Sequence, residues 1–323
     1  MSEPIWKDYS IALNTAGAST RYSVYYLDGE QYIIHQGMAY QNPETGIKSI
    51  KLNDICRPFL GQTFPGTLVG FYTRRSMERI FFVDTLPGPT AAGQVTFQND
   101  WSYDRNFTPS TRKSFPIVPI LDPRQILIFS VLPTSALQAS ILDANGESIR
   151  EYPTAANAPG NAVLNLRDYT LPERVEITGT GMTTQVFEVS NACEHRYVIY
   201  YVNAYGGWDS LLLYGDAVRT DSYSRKSFAS KYDNSQMEFG KVNYMNTIGR
   251  RWELRTDWLT DDQAANMHHL LGTNMAVLCD LQENAYYPVN ITDQECVYKT
   301  YRNGRKMPTY TINVEYAQDI IRR

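Results

Sequence analysis

The residues of this chain that could do chemistry are few and scattered. It has four histidines in 323 residues. His268 and His269 are adjacent on a predicted helix, so they project about 100° apart and share a metal poorly. The same helix predicts that His268 packs and His269 faces solvent. A zinc site wants Cys and His at short fixed spacings, such as Cys-x2-Cys or His-Glu-x2-His, and the chain has neither. It also lacks a Gly-x-Ser-x-Gly elbow, a P-loop and a Gly-x-Gly-x-x-Gly turn; Gly179-Thr-Gly181 is too short a match. Carboxylates cluster at Asp257, Asp261 and Asp262, and Asp100 and Asp209 flank aromatics. Glycoside hydrolysis needs two carboxylates at a set separation. Helix capping already accounts for Asp261 and Asp262. The expectation is therefore no catalytic residue, no metal and no cofactor.

Aromatic and arginine residues are the other candidates. Trp101, Tyr103 and Trp208 could stack on the apolar face of a sugar, although aromatics beside tight turns commonly pack across their own hairpin. Arginines come in pairs, at Arg74-Arg75, Arg250-Arg251 and Arg322-Arg323. With Lys+Arg at 30 and Asp+Glu at 34, the net charge of -4 gives no nucleic-acid footprint. Arginine is enriched with Tyr and Trp at protein interfaces. Arg250, Arg251, Trp252, Arg322 and Arg323, with Tyr197, Tyr201, Tyr205, Trp208 and Tyr214, are thus candidates for contacts between subunits. Solvated surface is the alternative for the arginines.

The elements that must position these residues are strands. Tyr197-Val-Ile-Tyr-Tyr-Val202 is apolar on both faces, Asn203 to Gly207 is a turn, and Trp208 to Tyr214 returns. Such a strand sits between two layers, or between a core and a partner subunit. Short strands with turn signals recur through residues 1–121, 122–192 and 193–323. This predicts a mainly β protein of several β-sandwich modules, the middle one small and immunoglobulin-like. Residues 105–124 read as a linker and 222–231 as a polar loop or extended arm. Residues 242–248 and 250–257 read as two strands. The only convincing helix is at about 261–271, with Thr260 and Gln263 forming a capping box. No run of ~18 apolar residues exists, so no membrane span is expected. The N-terminus lacks the basic and apolar regions of a secretory signal. Cys56, Cys193, Cys279 and Cys296 are expected to stay reduced.

Several short segments, in order, carry a resemblance. They are Trp6-Lys-Asp-Tyr9, Gly37-Met-Ala-Tyr40 with Pro43, Leu52-Asn-Asp-Ile-Cys56, Asn99-Asp-Trp-Ser-Tyr-Asp104 and Asn203-Ala-Tyr-Gly-Gly-Trp-Asp209. Together they resemble tail-associated structural proteins of tailed phages and prophages of gut anaerobes. The C-terminal pattern of strands, one helix and a final alternating strand is similar to ring-forming β-sandwich modules of tail tubes and distal tail proteins. The resemblance implies a virion part: a ring-forming homo-oligomer at the tail or baseplate that contacts neighbouring tail proteins and is assembled in the host bacterial cytoplasm. A carbohydrate- or host-surface-binding module is the alternative. An enzyme on cell-wall or capsule sugars, using Asp209 and Asp257, is the third reading.

Overall fold

In the computed structural model the described residues are 9–56, 70–73, 78–86, 90–98, 120–131, 137–153, 160–170, 172–179, 184–190, 196–203, 207–229, 241–256, 267–293 and 309–318, with 3–4, 59–60, 64, 259, 263–264 and 320–322. The protein is mainly β. Among the described residues, the first part of the chain contributes β1 (Glu3–Pro4), β2 (Ser10–Ala12), β3 (Ser19–Asp28), β4 (Glu30–Tyr40), β5 (Ser49–Lys51), the short helix α1 (Asn53–Cys56), β6 (Gly70–Thr73), β7 (Glu78–Leu86) and β8 (Thr90–Gln98). A five-stranded sheet runs β1-β8-β7-β3-β4. The β3–β4 hairpin turns at Asp28-Gly29, where Gly29 takes φ 75°, a conformation that costs a side-chain-bearing residue strain. The inner face of this sheet (Tyr22, Val24, Phe81, Val83, Val95) packs against the β2–β5 pair and α1 through Ile11, Ile50, Leu52 and Cys56. Asn53, the first residue of α1, accepts the Tyr9 N–H on its Oδ1 at 2.7 Å, tying the segment before β2 to the helix.

The middle part contributes β9 (Ile120–Leu121), β10 (Ile126–Val131), β11 (Leu137–Leu142), β12 (Ser148–Pro153), β13 (Gly160–Asn165), β14 (Arg174–Gly179) and β15 (Gln185–Val189). Two sheets, β10-β13-β6 and β12-β11-β14-β15-β9, face each other across one core. That core holds Leu127, Phe129, Ala162 and Leu164 from the first sheet and Ala139, Ile141, Val175 and Phe187 from the second. Two strands cross the expected boundary at 121/122. β6 pairs with β13, and β9, from the segment read as a linker, pairs with β15 in parallel. Each fills a sheet edge that would otherwise leave backbone groups unpaired.

The last part contributes β16 (Tyr197–Val202), β17 (Trp208–Leu213), β18 (Ala217–Ala229), β19 (Lys241–Arg255), the helix α2 (Met267–Leu271), β20 (Ala276–Asp280), β21 (Ala285–Ile291), β22 (Thr311–Tyr316) and β23 (Ile320–Arg322). They form one sheet in the order β17-β16-β20-β21-β22-β19-β18, with β23 also paired to β19. Gln263 and Ala264 are also helical, within the expected span of 261–271. The helix buries Ala264, Met267 and Leu270 against Tyr197, Ile199 and Tyr201. Ala264 and Met267 face the core as expected, but Leu270 stands there in place of His268 and Leu271, and the histidines exchange roles: His269 is buried and His268 is exposed. Two further expectations change. The segment at 222–231 is largely strand β18, and β19 runs unbroken through Gly249. There a Cβ would come 2.9 Å from Ser222 Oγ, a contact that rotation of the exposed serine relieves, and the strand continues through the glycine.

Candidate interaction surfaces

The β16–β17 hairpin occupies the centre of a stack of layers. All twelve of its strand residues are buried. Tyr197, Ile199 and Tyr201 point to the helix-side core. Val198, Tyr200, Val202, Trp208 and Leu212 point the other way, to a second core shared with Ile126, Ile128 and Val163 of the middle sandwich. Strand β10 is built in the same way, with Leu127 and Phe129 in the sandwich core and Ile126 and Ile128 in the shared one. Each fully buried side chain of this kind contributes about 1.5–3 kcal/mol relative to exposure. The sequence therefore produces a four-layer stack: sheet, sheet, sheet, helix.

Polar groups pin the shared core. Among the described residues β10 ends its sheet on the side away from β13, and β16 and β17 lie across it. The Ile126 N–H donates to the Tyr200 hydroxyl at 3.3 Å. Ser210 Oγ donates to the Ile128 carbonyl at 2.9 Å and receives the Ile128 N–H at 3.4 Å. Two hydroxyls thus supply partners that a buried strand edge would otherwise lack. At the margin, the Asp122 carboxylate, fully buried, holds Arg124 at 2.8 Å and the buried Arg196 at 3.4 Å. The Arg196 guanidinium lies over the Tyr214 ring at 4.7 Å. Removing one partner of such a buried pair costs about 3–5 kcal/mol, because the other charge is left uncompensated. Arg167 joins Asn284 and the Arg124 carbonyl, bridging the sandwich to the β20–β21 turn. Burial pushes the Tyr286 phenol up to about 12 and raises Tyr200 and Tyr201 well above their ordinary value. The Cys56 thiol is pushed up to about 12 for the same reason, so it is inert at neutral pH.

The residues expected at subunit contacts or glycan sites fall into three groups. Tyr197, Tyr201, Trp208 and Trp252 lie at 8%, 1%, 1% and 2% exposure, inside the chain's own cores. Trp208 meets Phe64 edge-on at 5.5 Å, so its ring offers no face to a sugar, which corrects that expectation. Tyr214 is half-buried under Arg196. Arg250 is largely buried, bonded to Asp221 at 3.1 Å and near the Trp252 and Tyr287 rings. Arg251 is exposed and sits 3.7 Å from Glu315. Trp101, Tyr103, Tyr205 and Arg323 lie outside the described residues, as does the Arg322 side chain. Of the carboxylates named for chemistry, Asp209 is buried and receives Asn203 Nδ2 at 2.8 Å, which closes the hairpin turn; Asp257 lies outside the described residues. Among the described residues no group of His, Cys, Asp and Glu could hold a metal, and no helix is long and apolar enough to cross a membrane.

Sequence reasoning passed over Asp122, Arg167 and Ser210, since polar residues that do not recur at a fixed interval carry no spacing signal. It also passed over two open surfaces. The first is the outer face of the N-terminal sheet. Leu27, Ile33, Met38, Ile80 and Tyr40 are 59%, 54%, 45%, 46% and 69% exposed, around a stacked Tyr25–Phe82 pair at 5.3 Å. The pairings Tyr25 with Ile33 and Phe82, and Arg21 with Met38 and Leu86, place these side chains on one face. A cleft of about 850 Å³ borders it, lined by Thr15, Arg21, Met38 and Leu86. The cleft wall is held by Lys48, whose buried ammonium donates to the Thr15 and Gly17 carbonyls at 2.5 and 3.0 Å and to Thr20 Oγ1 at 2.9 Å. The second is β18, the thirteen-residue terminal strand of the C-terminal sheet, exposed along almost its whole length. Beside it a polar groove of about 560 Å³ is lined by Ser222, Ser224, Thr247, Arg251, Asn290 and Glu315.

No protein-family model matches the chain, and no curated protein does. Among solved structures it is similar to alpha-2-macroglobulin from Escherichia coli. A native fragment spanning domains NIE-MG1 shares 9% identity at a TM-score of 0.21, covering 58% of this chain and 90% of that one. A fragment spanning MG0-NIE-MG1 shares 8% identity at 0.17, covering 55% and 56%. The native conformation of the whole protein shares 9% identity at 0.20, covering 100% of this chain and 33% of that one. At these TM-scores the likeness carries no argument about what the chain does.

Proposed function

We propose that this chain is a structural subunit of a phage tail or baseplate that assembles into a ring at the tail or its tip and acts by assembly, not by chemistry. Its place would be the virion, put together in the host bacterial cytoplasm, with neighbouring tail proteins as partners. The observation that carries the proposal is the apolar outer face of the N-terminal sheet. Exposed apolar clusters such as Leu27, Ile33 and Ile80 around Tyr25 and Phe82, set off from Met38 by the polar row Ser23, Gln36 and Asp84, mark sites of association. A ring needs a contact between unlike patches that closes by rotation. A sheet face offered on one flank, with the rigid stack holding the far flank, fits that need. The order of the tail-like sequence segments supports the same reading.

The test is assembly. Purified protein at high concentration, alone and with a tail partner as initiator, should form closed particles in negative-stain images and scatter as a multimer. Ile33→Glu should abolish this while leaving the melting temperature unchanged, because its side chain is half in solvent already. A wild-type protein that stays strictly monomeric under both conditions would overturn the proposal.

A further inference from the structure

We infer that β18 is a self-recognition strand: two copies of the chain join antiparallel along it about a two-fold axis at Tyr223, which makes their C-terminal sheets continuous. Among the described residues β18 ends its sheet, and its exposed residues include Val218, Tyr223 and Phe228 at 55%, 59% and 51%. An exposed edge of this length is a template for another strand, and proteins normally blunt such edges with charge or irregularity. Here the charges select a register. A two-fold axis normal to the sheet pairs residues of the same face. The register step opposite Lys226 and Ser227 falls on β19, so β18 keeps its alternation throughout. With the axis at Tyr223, all thirteen residues overlap. Val218 then faces Phe228 of the second copy, Asp221 faces Arg225, Ser222 faces Ser224, and the two Tyr223 rings meet.

Neighbouring registers do worse. An axis at Ser222 sets Arg219 against Arg225. An axis at Asp221 or Arg225 sets a like charge against itself. An axis at Ser224 sets Asp221 against Ser227 and breaks the ion pair. Directly opposed like charges destabilise a sheet and opposite charges stabilise it. Asp221 has room for the new partner. It accepts Arg219 on both oxygens and Arg250 on Oδ1, three of about four lone-pair sites, which leaves one on Oδ2. The occupant is therefore a second copy, chosen by charge and length together. This contact uses a different surface from the N-terminal face, so it holds whether or not the ring forms.

The test is a cross-linking and charge-swap series in the full chain, each variant first checked for folding by circular dichroism. Opposed residues in antiparallel strands have Cα atoms about 4.5–5.5 Å apart, within disulfide reach. Tyr223→Cys should give a covalent dimer under mild oxidation. Thr220→Cys should not, because its own copy lies six positions away, about 20 Å along the strand. Arg225→Asp, at an exposed site, should weaken dimerisation by about tenfold or more, and Arg225→Lys, which keeps the charge, should leave it within a few-fold of wild type. Absence of any dimer in wild type, or equal cross-linking at residues 220 and 223, would overturn the proposal. So would a dimer indifferent to Arg225→Asp. Loss of rings with Ile33→Glu while the 223 cross-link persists would separate this contact from the ring contact.

Discussion

Ser210 shows how one small side chain holds two modules together. Its hydroxyl serves both the N–H and the carbonyl of Ile128, on a strand edge sealed between two sheets. Alanine at this position would strand both groups in an apolar layer. The expected loss is about 1–3 kcal/mol of stability, read from urea unfolding as a lower midpoint with an unchanged slope. A loss below a few tenths would mean that water or a shifted backbone replaces the hydroxyl. In the sequence, Ser210 reads only as a polar break in Trp-Asp-Ser-Leu-Leu-Leu. Its partner is 82 positions away, and local pattern cannot supply that distance. The histidines illustrate a nearer limit. The helix itself was readable from its caps, but a difference of one residue in its buried face exchanged His268 and His269.

At the scale of elements, the strands apolar on both faces were the legible part. Tyr197 to Val202 announced a two-sided burial, and the structure gives it a helix-side core and a sandwich-side core. In the sequence β18 has the look of a loop or arm, because a strand wet on both faces has no apolar alternation. Gly249 suggests a break between two strands because glycine normally interrupts them, whereas β19 runs through it beside Ser222. The two-sided strands also carry a prediction. Leu212→Ala and Ile128→Ala lie in one core, and each should cost about 2–4 kcal/mol. Their sum should miss the double variant by about 0.5–3 kcal/mol. Leu211→Ala, whose side chain lies in the helix-side core, should add with Ile128→Ala. Equal coupling for both pairs would argue against two separate cores.

For the whole molecule, the mainly β, multi-module character followed from strand spacing and turn residues, but not which strands complete which sheet. β6 and β9 reach into the middle sandwich from positions that local sequence assigns to the first module and a linker. The density of buried phenols has a consequence in alkali. Burial raises the Tyr197 and Tyr286 phenols to about 12, with Asp280 adding to the first and Cys279 to the second, and raises Tyr200 and Tyr201 well above their ordinary value. Above about pH 10 the unfolded chain releases protons that the folded chain keeps, so stability falls as pH rises through that range and is unaffected by these groups below it. Thermal midpoints measured from pH 8 to 11 should be level at first and then drop. Tyr200→Phe should flatten part of the drop, and a curve identical to wild type would remove Tyr200 from the account.

The stack has an evolutionary corollary. β10 and β16 each answer to two cores, so a change of volume on either face of one must be met by a change in a different layer. Drift at Ile128 is constrained by Leu212 and Ser210, and drift at Ile199 by Met267 and Leu270. Sequences descending from this one would therefore vary in correlated sets across module borders, and a middle unit exchanged between lineages would bring the wrong half of a shared core with it.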